Sequence, residues 1–202
     1  MPQVSSICVY CSSSDTVAPH FFGAAEDLGL ELAARGITLV FGGCNVGMMR
    51  ALAATAKKHG GRVVGVIPRH IAERGLGYED ADELIVTDDL RERKAIMETR
   101  ADAFIALPGG IGTLEEVLEA MAQKQLRQHA KPIVLINTAN YFAPLVNLLE
   151  HAITHNFMRA ASRDLYHVAA DVPAIFGFLA GYVPPEVALK WLRKLAAGDG
   201  RR

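Results

Sequence analysis

The chain reads as an α/β protein, a Rossmann-like doubly wound parallel sheet with helices on both faces in a single domain. Two observations predict this class: short apolar, β-branched runs alternate with longer stretches of helical period, and each crossover is long enough to return a parallel strand. A third is the recurrence of polar or glycine-rich exits after strands, at 12–15, 42–47 and 108–113. In a doubly wound sheet, such exits share the carboxyl edge where ligands bind. With 202 residues, half of them hydrophobic, the chain can bury one substantial core.

Val4 to Tyr10 is the first strand, and Ser12-Ser13-Ser14-Asp15 leads into a helix over Pro19 to Ala34. Phe22, Ala25, Leu28, Leu32 and Ala33 give that helix a buried face, and Gly36 stops it. Ile37 to Phe41 is the second strand, followed by the Gly42 to Gly47 turn and a helix over Met48 to His59. Arg62 to Ile67 is the third strand, stopped by Pro68. Residues 69–82 have no clear period and read as an irregular loop, a candidate lid or specificity segment.

Glu83 to Val86 resumes as a strand. Asp89-Leu90-Arg91-Glu92 has capping-box spacing and starts a helix running to Arg100. Ala103 to Leu107 is a short apolar strand, Pro108-Gly109-Gly110 ends it, and a helix follows to Gln128. Ile133 to Ile136, a helix over Tyr141 to His155, a strand over Leu165 to Ala169 and a helix over Val172 to Leu179 complete the pattern. The domain is expected to span residues 1–182, with 183–202 a C-terminal helical tail, frayed at its end.

Composition narrows the ligand. Twenty-one Lys+Arg against 22 Asp+Glu leave a formal charge of −1, which argues against broad binding to nucleic acid or to anionic membrane. No signal core or apolar run of roughly 20 residues is present. Cys8, Cys11 and Cys44 cannot complete a disulfide framework, which fits a reducing compartment, so the expected location is cytoplasmic. The seven histidines form no HExxH pattern or cysteine cluster, and no metal site is expected. Tyr141 and Phe142 read as packing or interface residues.

The chemistry concentrates at Ala103 to Glu116. Gly109, Gly110 and Gly112 permit sharp turning and close approach, so the N–H groups opening the next helix, with the Thr113 hydroxyl, suit an anion such as phosphate. A tight turn capped by Thr113 is the plainer reading. Glu116 lies one turn beyond, on the side facing that cradle, whereas Glu115 points about 100° away. As an ionised carboxylate kept so by the helix start, Glu116 would orient water or support a sugar cation; otherwise it is an ordinary early-helix glutamate. Arg93 and Lys94 interrupt the stripe of Leu90, Met97 and Ala101. They read either as a phosphate or ribose clamp or as cations reaching solvent from the stripe edge. Ser12, Ser13 and Ser14 are either phosphate contacts or a polar turn.

These residues together resemble the LOG (“lonely guy”) family, whose PGGxGTxxE motif is complete as Pro108-Gly109-Gly110-Ile111-Gly112-Thr113-Leu114-Glu115-Glu116. The resemblance covers about residues 4–182 and includes Arg93-Lys94, Met97 and the Asp102 to Gly110 context. It implies a cytokinin-type phosphoribohydrolase, or AMP nucleosidase, cleaving the N-glycosidic bond of a nucleoside 5′-monophosphate without a cofactor. It also implies at least a homodimer with sites near the subunit interface. Relatives labelled “lysine decarboxylase” share the pattern, but nothing here suggests a pyridoxal phosphate lysine.

Carried over by position, Arg93 and Glu116 are the expected catalytic pair, and Lys94 with Gly109, Gly110, Ile111, Gly112 and Thr113 binds nucleotide. Ser13, Gly43, Met97 and Glu73 complete the candidate substrate-binding set. The chain departs from the pattern at Cys44 and Arg50, where relatives carry glycines, and at Gly75, where many carry a substrate-contacting glutamate that Glu73 is near enough to replace. Against the hydrolase stands a noncatalytic carrier of a phosphorylated purine-like or molybdopterin-like ligand.

Overall fold

Seven parallel strands form one sheet in the computed structural model, which describes residues 4–186. They are β1 (Ser6–Tyr10), β2 (Thr38–Phe41), β3 (Val63–Pro68), β4 (Glu83–Thr87), β5 (Ala103–Ala106), β6 (Ile133–Ile136) and β7 (His167–Ala169). Their order across the sheet is β4-β3-β2-β1-β5-β6-β7. The chain therefore winds outward from β1 to β4, returns to place β5 beside β1, and winds out the other way. The direction reverses between β1 and β5, where Tyr10 lies in register with Ala106. Ligands of doubly wound sheets bind outside the strand ends at such a reversal.

The connections supply α1 (Pro19–Ala34), α2 (Gly47–Lys58), α3 (Arg69–Ala72), α4 (Leu90–Thr99), α5 (Ile111–Gln125), α6 (Ala143–Thr154) and α7 (Val172–Ala180). Alternation along the strands builds two cores. Ile7, Leu39 and Ile105 face Leu28, Leu52 and Ile175 of α1, α2 and α7. Cys8, Val40 and Phe104 face the opposite way, onto Met97 of α4 and Val117 and Met121 of α5. Each fully buried aliphatic side chain contributes about 2 kcal/mol to this sandwich. The fold expectation is met, including helices on both faces.

Local chemistry sets several boundaries. Asp89 accepts from the backbone N–H groups of Arg91 and Glu92, both at 2.8 Å, and Glu92 reaches back to the Asp88 N–H at 2.8 Å, so α4 starts where the capping-box spacing placed it. Other boundaries shift. The helix expected over Tyr141 to His155 starts two residues later, at Ala143, after a short 3-10 stretch, Thr138–Asn140, in which Ala139 and Asn140 take left-handed angles. The last strand starts at His167, since Ala160–Leu165 is a 3-10 turn. The segment 69–82 is less irregular than its sequence suggests: it opens with α3, and Gly77 pairs with Cys44 in an antiparallel bridge. Of the expected helical tail, 183–186 are neither helix nor strand, and 187–202 lie outside the described residues.

Candidate active site

The three exits predicted to share an edge meet around a cleft of about 630 Å³ at the carboxyl ends of β1, β2 and β5. Ser12, Ser13 and Ser14 come from the loop after β1, Gly42, Cys44 and Val46 from the loop after β2, and Gly110 to Thr113 from the turn after β5. Asp15 ties two of these loops together. Its carboxylate accepts from the Gly47 N–H at 3.0 Å and from Arg50 Nη2 at 3.1 Å, so the unusual Arg50 braces the rim.

Arg93 of α4 and Glu116 of α5 meet in the cleft wall. Arg93 Nη1 donates to Glu116 Oε1 at 2.6 Å, and Arg93 Nε donates to the Val66 carbonyl at 3.0 Å. Their side chains are only 12% and 9% exposed. Arg93 therefore does not reach out to solvent, and Glu116 is no surface residue. Burial pushes the Glu116 carboxyl above its usual range, and the Arg93 guanidinium, by charge and hydrogen bond, offsets that rise only in part. The helix start was the expected counterweight, but Glu116 sits in the second turn of α5, beyond the reach of the helix-end field. The guanidinium performs that role.

Glycine makes room for this pair. A β-carbon on Gly42 would lie 2.2 Å from Arg93 Nη2 and 2.9 Å from Met49 Sδ. The absence of a side chain at 42 is thus what lets the guanidinium lie across the end of β2. The turn expected to cradle an anion is equally close-packed. Gly110 is the N-cap of α5, and the first backbone N–H groups of the helix have no helical carbonyl to serve. Thr113 is buried, and its Oγ1 lies 2.0 Å from where a β-carbon of Gly109 would stand.

Of the other expected contacts, Ser13, Gly110, Ile111, Gly112 and Thr113 line the cleft. Lys94, Met97, Gly43, Gly109 and Glu73 lie outside its lining. Lys94 turns away to Glu115 and to Glu119, the latter at 2.5 Å. Met97 is fully buried beneath the sheet. Gly43 gives its carbonyl to the Tyr78 N–H at 2.8 Å, Gly109 backs the cradle, and exposed Glu73 ends α3. Cys44 does line the cleft, with its thiol pushed up by burial.

Sequence reasoning missed the apolar lining: Met49 of α2, Pro68 closing β3, Ile71 of α3, Leu76 beyond it, and Leu90 opening α4. Ile71 and Leu76 carried a signal, as isolated aliphatics in the otherwise polar segment 69–82. The arrangement presents anion-seeking backbone donors, a buried ion pair and an apolar surface to one ligand. That combination suits a phosphorylated molecule with a flat or greasy end.

Residues 49–177 match a family model described as “Possible lysine decarboxylase”. The cytokinin riboside 5′-monophosphate phosphoribohydrolase LOG of Oryza sativa subsp. japonica is 39% identical over 186 residues, 92% of this chain and 77% of the relative. A cytokinin riboside 5′-monophosphate phosphoribohydrolase of Arabidopsis thaliana is 37% identical over 178 residues, 88% of this chain and 78% of the relative. Among solved structures, the molybdenum cofactor binding protein of Rippkaea orientalis aligns with a TM-score of 0.67 and 25% identity, covering 89% of this chain and 98% of that one. The Moco carrier protein of Chlamydomonas reinhardtii gives 0.66 and 26%, over 88% and 96%. By its match to the family model and its identity to relatives along most of their length, the chain belongs to the LOG family.

Proposed function

We propose that this protein hydrolyses the N-glycosidic bond of adenine-type nucleoside 5′-monophosphates, cytokinin riboside 5′-monophosphates and/or AMP, releasing free base and ribose 5-phosphate. The observation that carries the proposal is the Arg93–Glu116 pair, buried in the cleft wall beside the helix start of α5. The 5′-phosphate sits on the Gly110 to Thr113 turn, where the N–H groups and helix field favour an anion. The C1′–N bond breaks with its electron pair leaving on the base, and water adds at C1′. Glu116 supports the cation-like sugar and takes up the proton of the attacking water, while the departing base is protonated from solvent, to which Glu116 then returns its proton. Arg93 holds Glu116 in place and orients the nucleotide. The printed names of the relatives support the same reaction.

The proposal includes a homodimer in the cytoplasm. Leu90 and Ile111, which line the cleft, and Leu118 are exposed apolar residues on α4 and α5, of the kind a subunit contact would cover. Among the described residues, no helix is long and apolar enough to cross a membrane. The second reading, a carrier of a phosphorylated ligand, is favoured by the structural likeness to molybdenum cofactor binding and carrier proteins. Incubating the protein with AMP and with isopentenyladenosine monophosphate, then measuring free base and ribose 5-phosphate, separates the two. Tight binding without product supports the carrier and sinks the hydrolase.

A further inference from the structure

Tyr141 lies outside the cleft lining, yet its hydroxyl donates to the carbonyl of Gly109, directly behind the anion cradle. The contact joins segments that are 32 residues apart in sequence. The segment that delivers Tyr141 is held in an unusual conformation. After β6, Asn137 donates its N–H to Ala169 O at 2.9 Å and uses its side-chain oxygen to accept from Phe142 N at 2.8 Å. Between these anchors Ala139 and Asn140 take φ values of 52° and 60°. A left-handed alanine is costly, and it persists only where its surroundings enforce it. The result is that the Tyr141 ring stands edge-on to Phe21 of α1, at 6.1 Å, and to buried Phe142, at 5.2 Å, with its hydroxyl on the β5–α5 turn.

A trans peptide points its C=O and its N–H in opposite directions. Holding the Gly109 carbonyl outward on Tyr141 therefore turns the N–H of Gly110 the other way, and Gly110 is a cleft residue. The need for an external hold follows from the sequence. A Gly109-Gly110 peptide has no β-carbon on either side to restrict its rotation, so the unit that must face an anion is the least constrained in the turn.

We propose that Tyr141 is a positioning residue for the phosphate cradle, acting through the Gly109 carbonyl to aim the Gly110 N–H at the 5′-phosphate. The inference rests on reading the β5–α5 turn as the phosphate holder. It predicts a loss confined to phosphorylated ligands, because the hydroxyl touches neither sugar nor base. A ring that merely packs predicts no such selectivity.

The test compares the full chain with Tyr141→Phe, which keeps the ring and its packing and removes only the hydroxyl. Affinities for AMP, ribose 5-phosphate and adenosine are measured by calorimetry, with melting temperature as the control for folding. Affinity for AMP and ribose 5-phosphate is expected to fall about threefold to tenfold, the effect of one hydrogen bond, while adenosine affinity and melting temperature hold. An unchanged affinity for the phosphorylated pair, or an equal loss for adenosine, overturns the positioning role. Base release from AMP is scored in the same samples. Wild-type binding without base release refutes the hydrolase and leaves the Tyr141 comparison intact, whereas wild-type protein that holds none of the phosphorylated probes overturns the positioning role as well.

Discussion

Arg93 and Glu116, 23 residues apart on two different helices, place Nη1 and Oε1 2.6 Å from each other in the wall of one cleft. Neither charge would be tolerable there alone. Removing one partner of a buried ion pair leaves the other uncompensated, at about 3–5 kcal/mol. The pair is therefore a structural unit as well as the proposed reactive feature of the cleft, and a test of its chemistry has to keep its geometry.

Glu116→Gln keeps a hydrogen-bond acceptor for Arg93 while removing the carboxylate charge. Base release from AMP is expected to fall about 100-fold or more, the usual contribution of a positioned acid or base, with AMP affinity retained. Turnover at the wild-type rate, followed by chromatography of the released base, would remove Glu116 from the reaction.

Gly42→Ala probes the same pair from behind. The added methyl falls on Arg93 Nη2 and Met49 Sδ, both ends of flexible side chains, so the protein folds but the guanidinium must move. A shift of about 1 Å in a positioning group costs on the order of 100-fold in rate. The expected signature is a large drop in kcat/KM with a melting temperature close to that of the wild type. Full activity in the variant would show that the guanidinium is not held where the reaction needs it.

The apolar lining is expected to govern the choice of base. Replacing Ile71 and Leu76 together by serine removes aliphatic surface from the cleft. We expect kcat/KM for isopentenyladenosine monophosphate to fall about tenfold more than for AMP, the scale of a few methylenes in an apolar pocket. Parallel kinetics with the two nucleotides measure the ratio, and an unchanged ratio would exclude this lining from selectivity.

Lys124, at the far side of α5, gives a pH signature unrelated to the cleft. It is buried, donates to the Leu165 carbonyl at 2.9 Å, and burial pushes its amine down to about 8 from an ordinary 10.5. The unfolded chain holds that proton up to the higher value, so between these two pH values the unfolded state binds more protons and stability rises with pH. Lys124→Met should abolish this rise. Melting temperatures of the two proteins across that interval, taken as a difference, isolate the lysine from other titrating groups; parallel curves would contradict the assignment.

Much of this molecule was legible as local pattern. Strand positions, the capping of α4 by Asp89, the glycine turn at 109–112 and the selection of Glu116 over Glu115 all depend on residues within a few positions of each other. Helical register alone could not separate Arg93 from Lys94, because both break the same stripe. Packing does: one guanidinium turns inward to Val66 and Glu116, and the adjacent ammonium turns to Glu115 and Glu119.

What the amino-acid sequence determined by itself is the order of strands and helices, their stops and caps, and the existence of a glycine-rich turn at the start of α5, since periodicity and turn chemistry act over short range. The tertiary structure alone decided that the strand order reverses between β1 and β5, that Gly42 yields its space to Arg93, and that Tyr141 reaches the Gly109 carbonyl. These depend on how rigid elements rotate and seat against one sheet, a choice made by the packing of side chains distant in sequence.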